Sequence, residues 1–477
     1  MNLIESIKML NGWYWQDDIW RVILQFLGAI CPDFYLEKGL KNLSNSQNLW
    51  KIMIQTACEY LTIAGKQICE EKERLGTGRT VRKEEFMSVY VNYEDPPLEI
   101  FQSTWQENCL AETNTLPKRV IIFFDIEYYH NLDSTIALLD QNAVFGALEP
   151  IYHLVREILL GFGIDHLAVT SGRGYNFVMS VPAESPVFDE LLSIGRTINS
   201  SIAGKQSYPA FKRTKAVSWQ SEQSFKGALR LVMFVTGLII NEARRRSFGL
   251  PVEMTDQGIE GISFDLSFFT RGVDTSCFGV PATPYLKLHF QKHLHPEVQY
   301  YTPLFVRVIR ARGLMENFPD YRKMLAVRSN YNAALDHFAG QEGYIPDASA
   351  GIANLLPLYW NSALAKFHKL MDSEDHEPYW DWWRTYRNID GILNQIPQII
   401  DVIRYPNPKL LQPDSLNYLI NEMMNHGWHP KHIGGFIRSF YEDPMLNWGN
   451  RFIKYDAAQW ADGWVEILGA QRFFGIN

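Results

Sequence analysis

The chain has 477 residues, 46% hydrophobic and 14% aromatic, with a formal net charge of −8; this is the composition of a soluble globular protein with mass for two or three domains. The acidic balance excludes a protein that coats nucleic acid with its whole surface, though not one with a local basic patch. The five cysteines (Cys31, Cys58, Cys69, Cys109 and Cys277) include no pair at zinc-ligand spacing, so neither structural zinc nor a disulfide framework is expected.

Taken in chain order, Met1 to about Gly76 carries apolar residues at helical spacing, as in Trp50, Ile54, Ala57 and Ile63, and predicts a helical N-terminal region over 1–78. Residues 79–116 read as an irregular lead-in with a short β-like run at Phe86–Tyr93. Arg119–Phe124 is a continuous apolar run of strand character, expected to be covered on both faces and to end on Asp125-Ile126-Glu127. A helix is predicted over Asn142–Phe162, then a strand at Asp165–Thr170, a glycine-bearing loop, and a strand at Tyr175–Val181. A basic, mostly helical section follows to Met254, then a second β-like region at Ile262–Phe290. From about Pro303 onward the spacing is helical again. Near the end, Leu416–Gly427 and Lys431–Tyr441 predict two helices around a Gly427-Trp428-His429-Pro430 turn. This is a possible helix-turn-helix near 416–441, with Lys431, His432 and Arg438 facing phosphates. Trp448, Trp460 and Trp464 are expected in the core.

The longest apolar run, Leu231–Ile240, is too short to cross a bilayer, and Met1–Leu10 lacks the pattern of a signal peptide. A cytoplasmic location without a membrane partner is therefore expected. Between Lys205 and Arg246 nine basic residues (Lys205, Lys212, Arg213, Lys215, Lys226, Arg230, Arg244, Arg245 and Arg246) face only Glu222 and Glu242, a net +7 in an acidic chain. Such a run is either a solvated helix face or a phosphate-binding one.

Two short segments carry chemistry. Asp125 and Glu127, two apart on a strand, point to one side of the sheet, where adjacent carboxylates are best tolerated around a divalent cation. Ser171-Gly172-Arg173-Gly174-Tyr175-Asn176 lies between two strands, with glycines that let backbone amides turn to an anion and an arginine to pair with it. In this order the segments resemble the archaeo-eukaryotic primase superfamily, whose core has an acidic pair, then a Ser-Gly-x-Arg-Gly-x-His type loop, then a third acid. Asp125 and Glu127 match the first motif, Arg173-Gly174-Tyr175 the second, and Asp265 in Ser263-Phe264-Asp265-Leu266 the third, with Asp274 as the alternative third acid. Pro281-Ala-Thr-Pro-Tyr-Leu-Lys287 is similar to a later family segment, with Thr283 in its serine place and Lys287 in the place of a triphosphate-contacting lysine. The resemblance spans Lys118–Arg312. It departs from the family at Asn176 and Tyr285, both of which stand where histidines are expected.

The resemblance implies an α+β primase-type catalytic core, an RRM-like sheet with helices, assigned to 79–315; the flanking helical region 1–78 and helical C-terminal domain over 316–477 are read from apolar spacing alone. It implies template-dependent nucleotidyl transfer by two-metal phosphoryl transfer, with Asp125, Glu127 and Asp265 holding Mg²⁺ or Mn²⁺. Ser171, Gly172, Arg173, Asn176 and Lys287 would contact nucleotide, and Lys212, Arg213, Lys215, Arg244, Arg245 and Arg246 nucleic acid. The expected partners are a single-stranded template, nucleoside triphosphates, and other replication, repair or defence proteins. Two alternatives stand beside it. One is a degenerate primase-like binding protein without turnover, motivated by Asn176. The other is a 3′–5′ exonuclease with an Asp-Ile-Glu motif, for which Tyr386–Asp390 lies too far along the chain for a compact domain.

Overall fold

The computed structural model describes residues 119–132, 136, 140–196, 219–270, 281–282, 305–377, 382–403, 408–443, 452 and 456–474. The expectations for 1–78 and for the lead-in lie outside them.

The protein is α+β, built on a mixed seven-stranded sheet. The strands are β1 (Arg119–His130), β2 (Leu167–Thr170), β3 (Gly174–Pro182), β4 (Val252–Glu253), β5 (Glu260–Phe264), β6 (Ile309–Arg312) and β7 (Met315–Glu316), in the order β4-β5-β1-β3-β2-β6-β7. Every ladder is antiparallel except β4–β5. The expected sequence of strand, helix, strand, tight turn and strand over 119–182 is present. β1 runs past Phe124 because Tyr128 and Tyr129 continue the ladder with β5, and their hydroxyls donate to Glu260 (2.6 Å) and Glu253 (2.7 Å). Asp125 and Glu127 therefore lie inside the strand, not at its end, although the β1–β3 ladder does stop at Glu127.

Helix α1 (Gln141–Gly161) starts where the Asp140 carboxylate accepts from the Ala143 N–H at 2.9 Å, satisfying a first-turn donor. Helix α2 is Pro186–Ile194 and α3 is Trp219–Arg245. α1 and α3 pack against each other and against β1, forming one layer over the sheet face that carries Tyr175 and Phe177; Tyr152 of α1 meets both rings, at 4.8 and 5.6 Å. α3 is long and apolar enough by composition to cross a membrane, but its apolar window is 89% buried within this fold.

The short helix α4 (Ser267–Thr270) follows β5. The expectation of helix from Pro303 is corrected at its start, where Val306–Arg312 alternates apolar and basic residues and β6 and β7 extend the sheet edge. Within the second β-like region only Glu260–Phe264 is a strand among the described residues. Beyond Tyr321 the chain is helical, as expected, including α5 (Tyr321–Arg328), α6 (Tyr331–Ala339), α7 (Ser349–Trp360), α8 (Ala363–Met371), α9 (Trp382–Thr385), α10 (Ile389–Gln395), α11 (Ile400–Ile403), α12 (Pro413–Asn425), α13 (Pro430–Tyr441) and α14 (Ala457–Ala470). The α12–α13 turn lies where the sequence predicts it, with Gly427 at φ 81°, a conformation open to glycine. Trp460 and Trp464 are buried; Trp448 lies outside the described residues.

Buried charge ties α3 to the later helices. Arg230, 1% exposed, donates to both Asp372 oxygens (2.5 and 2.8 Å) and to Glu466 of α14 (2.8 Å). Lys226 reaches Asp372 (3.2 Å) and Glu466 (2.9 Å), so two cations meet two carboxylates.

Candidate active site across β5, β1 and β3

In an antiparallel ladder, directly opposed residues share a face. Asp125 is opposite Asn176, which is in turn opposite Val169; Glu127 lies between Gly174 of β3 and Ser263 of β5. The acidic pair thus shares one sheet face with Asn176, while Ile126 and Tyr175 point to the other, under α1. Asp265, two residues from Ser263, donates its backbone N–H to the Asp125 carbonyl at 2.9 Å, and its own carboxylate accepts from the Ser267 N–H at 2.9 Å. Three segments far apart in sequence meet across β5, β1 and β3.

The Ser171 loop is shorter than expected. It consists of Ser171, Gly172 and Arg173 closing the β2–β3 hairpin, with the Ser171 N–H bonded to the Gly174 carbonyl (2.8 Å). Tyr175 and Asn176 belong to β3. Gly174 is demanded by the close approach of β1, since a Cβ there would lie 1.7 Å from the Ile126 carbonyl oxygen. Tyr175 is a core residue, its hydroxyl taking a hydrogen bond from Arg310. Arg310 also binds Glu149 through two nitrogens (2.7 and 2.6 Å) and lies 3.6 Å above the Tyr152 ring. Arg328 of α5, fully buried, donates to the Ser171 carbonyl at 2.6 Å, and Tyr128 N–H donates to the Arg173 carbonyl at 3.0 Å.

Arg173 itself turns to the acids. Its Nε donates to Glu127 Oε2 at 2.8 Å, Nη2 lies 2.5 Å from the same oxygen, and Nη2 is 3.9 Å from Asp256 Oδ2. Asp256, in the β4–β5 connection, is a site residue that the sequence reading missed. Its only sequence signal is an acid in a Gln-Gly turn before the strand that leads into Asp265. Burial, reinforced by the neighbouring Asp265 and Glu127 and opposed by Arg173 and a Ser263 hydrogen bond, pushes its carboxyl up to about 6.

Hard carboxylate oxygens are the donor chemistry of Mg²⁺ and Mn²⁺. Among the described residues, however, no three His, Cys, Asp or Glu side chains are gathered closely enough to hold an ion as they stand, and Arg173 supplies the positive charge at Glu127. Asp274, Thr283, Tyr285 and Lys287 lie outside the described residues. The start of the later motif is described: Ala282 is buried, has φ 62°, and donates its N–H to the Arg307 carbonyl.

Among the described residues of the basic run, Lys226 and Arg230 are engaged inside the fold and Arg245 and Arg246 pair at its surface. Lys226 and Arg230 are in the buried cluster above, Arg245 pairs with Glu242 (2.6 Å), and Arg246 pairs with Glu242 and with Glu157 of α1 (2.7 Å each). Arg245 and Arg246 thus have carboxylate partners while remaining at the surface; a count along the sequence omits Glu157, brought in from α1. Lys205, Lys212, Arg213 and Lys215 lie outside the described residues. In the C-terminal helix pair, Lys431 is bonded to Asp462 (2.5 Å) and Arg438 to Glu442 (3.0 Å), both nearly buried, so these two side chains do not face outward. His432 bridges Glu374 (2.7 Å) and Tyr386 (2.8 Å). Comparison with protein-family models, curated proteins and solved structures finds no match to this chain.

Proposed function

We propose that the chain carries a metal-dependent nucleotidyl-transfer site of the primase-polymerase type. The observation that carries this reading is the meeting of Asp125 and Glu127 on β1 with Arg173 of the β2–β3 hairpin and Asp265 just after β5, because acids for a cation and a cation for phosphate are needed within one reaching distance. Asp125, Glu127 and Asp265 would be the residues to hold Mg²⁺ or Mn²⁺, whose chemistry there would be to offset triphosphate charge and to acidify an attacking 3′-hydroxyl. The side chain of Arg173 would bind phosphate oxygens, as a guanidinium does in paired fashion. Asn176 can hydrogen-bond but brings no charge.

A second reading, nucleotide or nucleic-acid binding without turnover, is favoured by two observations. The Arg173–Glu127 pair occupies an acid that catalysis would need, and Asn176 is only 4% exposed. Incubating the protein with primed template, nucleoside triphosphates and Mn²⁺ separates the readings. Extension supports transfer, strand degradation indicates an exonuclease, and nucleotide binding with neither indicates a scaffold.

A further inference from the structure

We propose that residues 372–377, between α8 and α9, form an acid-released clasp on α13, fastened by His376 and His429 as neutral rings. His376 belongs to the segment and reaches α13 and α14. His429 stands at the start of α13 and reaches back to the segment. The clasp does not depend on the nucleotidyl-transfer reading.

The contacts fix which nitrogen of each ring carries the proton. Arg438 Nη1 lies 3.2 Å from His376 Nδ1, and His376 Nε2 lies 2.7 Å from Asp462 Oδ1. A guanidinium only donates and a carboxylate only accepts, so Nδ1 is bare and Nε2 is protonated. At His429 the Lys431 N–H donates to Nδ1 at 3.2 Å, which makes an imidazole the capping acceptor of α13, where Ser, Thr, Asp or Asn is usual. The proton of this ring is therefore on Nε2, 3.3 Å from Ser373 Oγ. Adding a second proton turns each Nδ1 acceptor into a donor. His376 would then aim an N–H at the Arg438 guanidinium, and His429 would lose the cap and put a cation at the positive end of α13. The His376–Asp462 pair packs directly on the α13 backbone, since a Cβ at Gly434 would lie 2.4 Å from Asp462 Oδ1 and 3.2 Å from His376 Nε2.

Charges reach these rings from α14, from the segment and from α13 itself. Asp462 and Glu466 of α14 both attract Lys431, as does Asp375 of the segment. Glu374 lies 3.7 Å from His429 Nδ1 but is already held by His432 Nε2 at 2.7 Å. His432 Nδ1 meets the Tyr386 hydroxyl, which accepts from the Glu377 N–H. Arg438 is bonded to Glu442. Burial lowers His376 below the ordinary imidazole value, aided by Lys431 and Arg438 against Asp462. It also lowers His429, aided by His432 and Lys431 against Glu374 and the Leu370 carbonyl. Because the folded-state values are depressed, the stability that these rings give the clasp is complete above pH ~6.5 and is lost as pH falls through those values.

Hydrogen–deuterium exchange of the full chain, read by mass spectrometry between about pH 7 and 5, tests the clasp. After correction for the pH dependence of intrinsic exchange, protection over 372–377 and 429–433 is expected to fall roughly tenfold further than that of β1 and β3, the effect of one pKa unit. His376→Gln/His429→Asn, whose amides donate and accept without titrating, is expected to keep local protection at the lower pH. An equal fall in clasp and sheet, or a local fall of the same size in the double variant, would overturn the proposal. If the double variant is open already at pH 7, the wild-type rings decide. Nitrogen-15 NMR of labelled histidine, assigned with the two single variants, is expected to show His376 and His429 neutral at pH 7 with the proton on Nε2. A proton on Nδ1 of either ring, or a ring charged at that pH, would overturn the proposal.

Discussion

The guanidinium of Arg328 and the carbonyl of Ser171, distant in sequence, are joined by a 2.6 Å hydrogen bond in the protein interior. The Phe145 and Phe305 rings lie 5.0 Å from the same guanidinium, so a buried cation sets the height of the hairpin that carries Arg173. Arg328→Ala removes the donor and leaves a cavity, and is expected to destabilise the fold by about 3 kcal/mol or more. Urea unfolding checks the magnitude. An unchanged midpoint would mean that the hairpin does not depend on this contact.

Gly174 gives a sharper steric test. A Cβ at this position would meet the Ile126 carbonyl oxygen at 1.7 Å, whereas one at Gly161, at the end of α1, meets nothing within 4 Å. Gly174→Ala is expected to cost about 3 kcal/mol by forcing β1 and β3 apart. Gly161→Ala should be neutral or stabilising by up to about 1 kcal/mol. Thermal unfolding of the two variants in parallel would detect the contrast.

The α3 charge cluster predicts non-additivity. Glu466→Met leaves two cations facing Asp372 and should cost about 3–5 kcal/mol, as breaking one partner of a buried pair does. Arg230→Met/Glu466→Met leaves Lys226 with Asp372, at 3.2 Å, and should cost less than the sum of the two single changes. Strict additivity in denaturant unfolding would argue that these groups do not interact.

Stability should fall on mild acidification. His166 donates through Nδ1 to the Ile164 carbonyl (3.2 Å), and His368 meets the Tyr359 hydroxyl through Nδ1 (2.9 Å). In both, and in His337, Nε2 is buried without a hydrogen-bond partner. Burial holds His166 and His337 down at about 4 and His368 well below the ordinary imidazole value. Because their folded-state values are depressed, the folded protein binds fewer protons than the unfolded chain below pH ~6.5. The stability they contribute is complete above that pH and is lost as pH falls toward 4, by about 3 kcal/mol for each of His166 and His337. Unfolding free energies measured from pH 7 to 4.5 should decline, and His166→Gln/His337→Gln should flatten the decline. A pH-independent profile would contradict the assignment of neutral buried rings.

Much of the sheet around the site was legible from local pattern. The apolar run before Asp125 and the alternation after Ser171 identify β1 and β3 to within a few residues, except that β1 continues to His130. Alternation also correctly puts Asp125 and Glu127 on one face. What local pattern does not carry is the partner chosen in space. Arg173 binds Glu127 because the hairpin folds beside β1; Asp256 joins them because the β4–β5 turn lies at the same edge; Arg246 is matched by Glu157 because α1 runs alongside α3. Lys431 and Arg438 have the sequence character of phosphate-facing residues, but their acids come from Asp462, on another helix, and from Glu442, beyond α13. Except for Arg438 and Glu442, four residues apart at the end of one helix, the charge is balanced across elements, which a single-segment reading cannot see.

The central claim is most directly tested by primer extension with Mn²⁺, comparing the wild-type chain with Asp125→Asn/Glu127→Gln. The double variant keeps the side-chain shapes, and Glu127→Gln leaves an amide oxygen that can still accept from Arg173 Nε, so circular dichroism should show it folded. The account predicts template-dependent, Mn²⁺-requiring extension by the wild type and at least a hundredfold less by the folded variant, on the order of the loss of transition-state charge stabilisation. Extension of equal rate by both proteins, or none by the wild type, would contradict it.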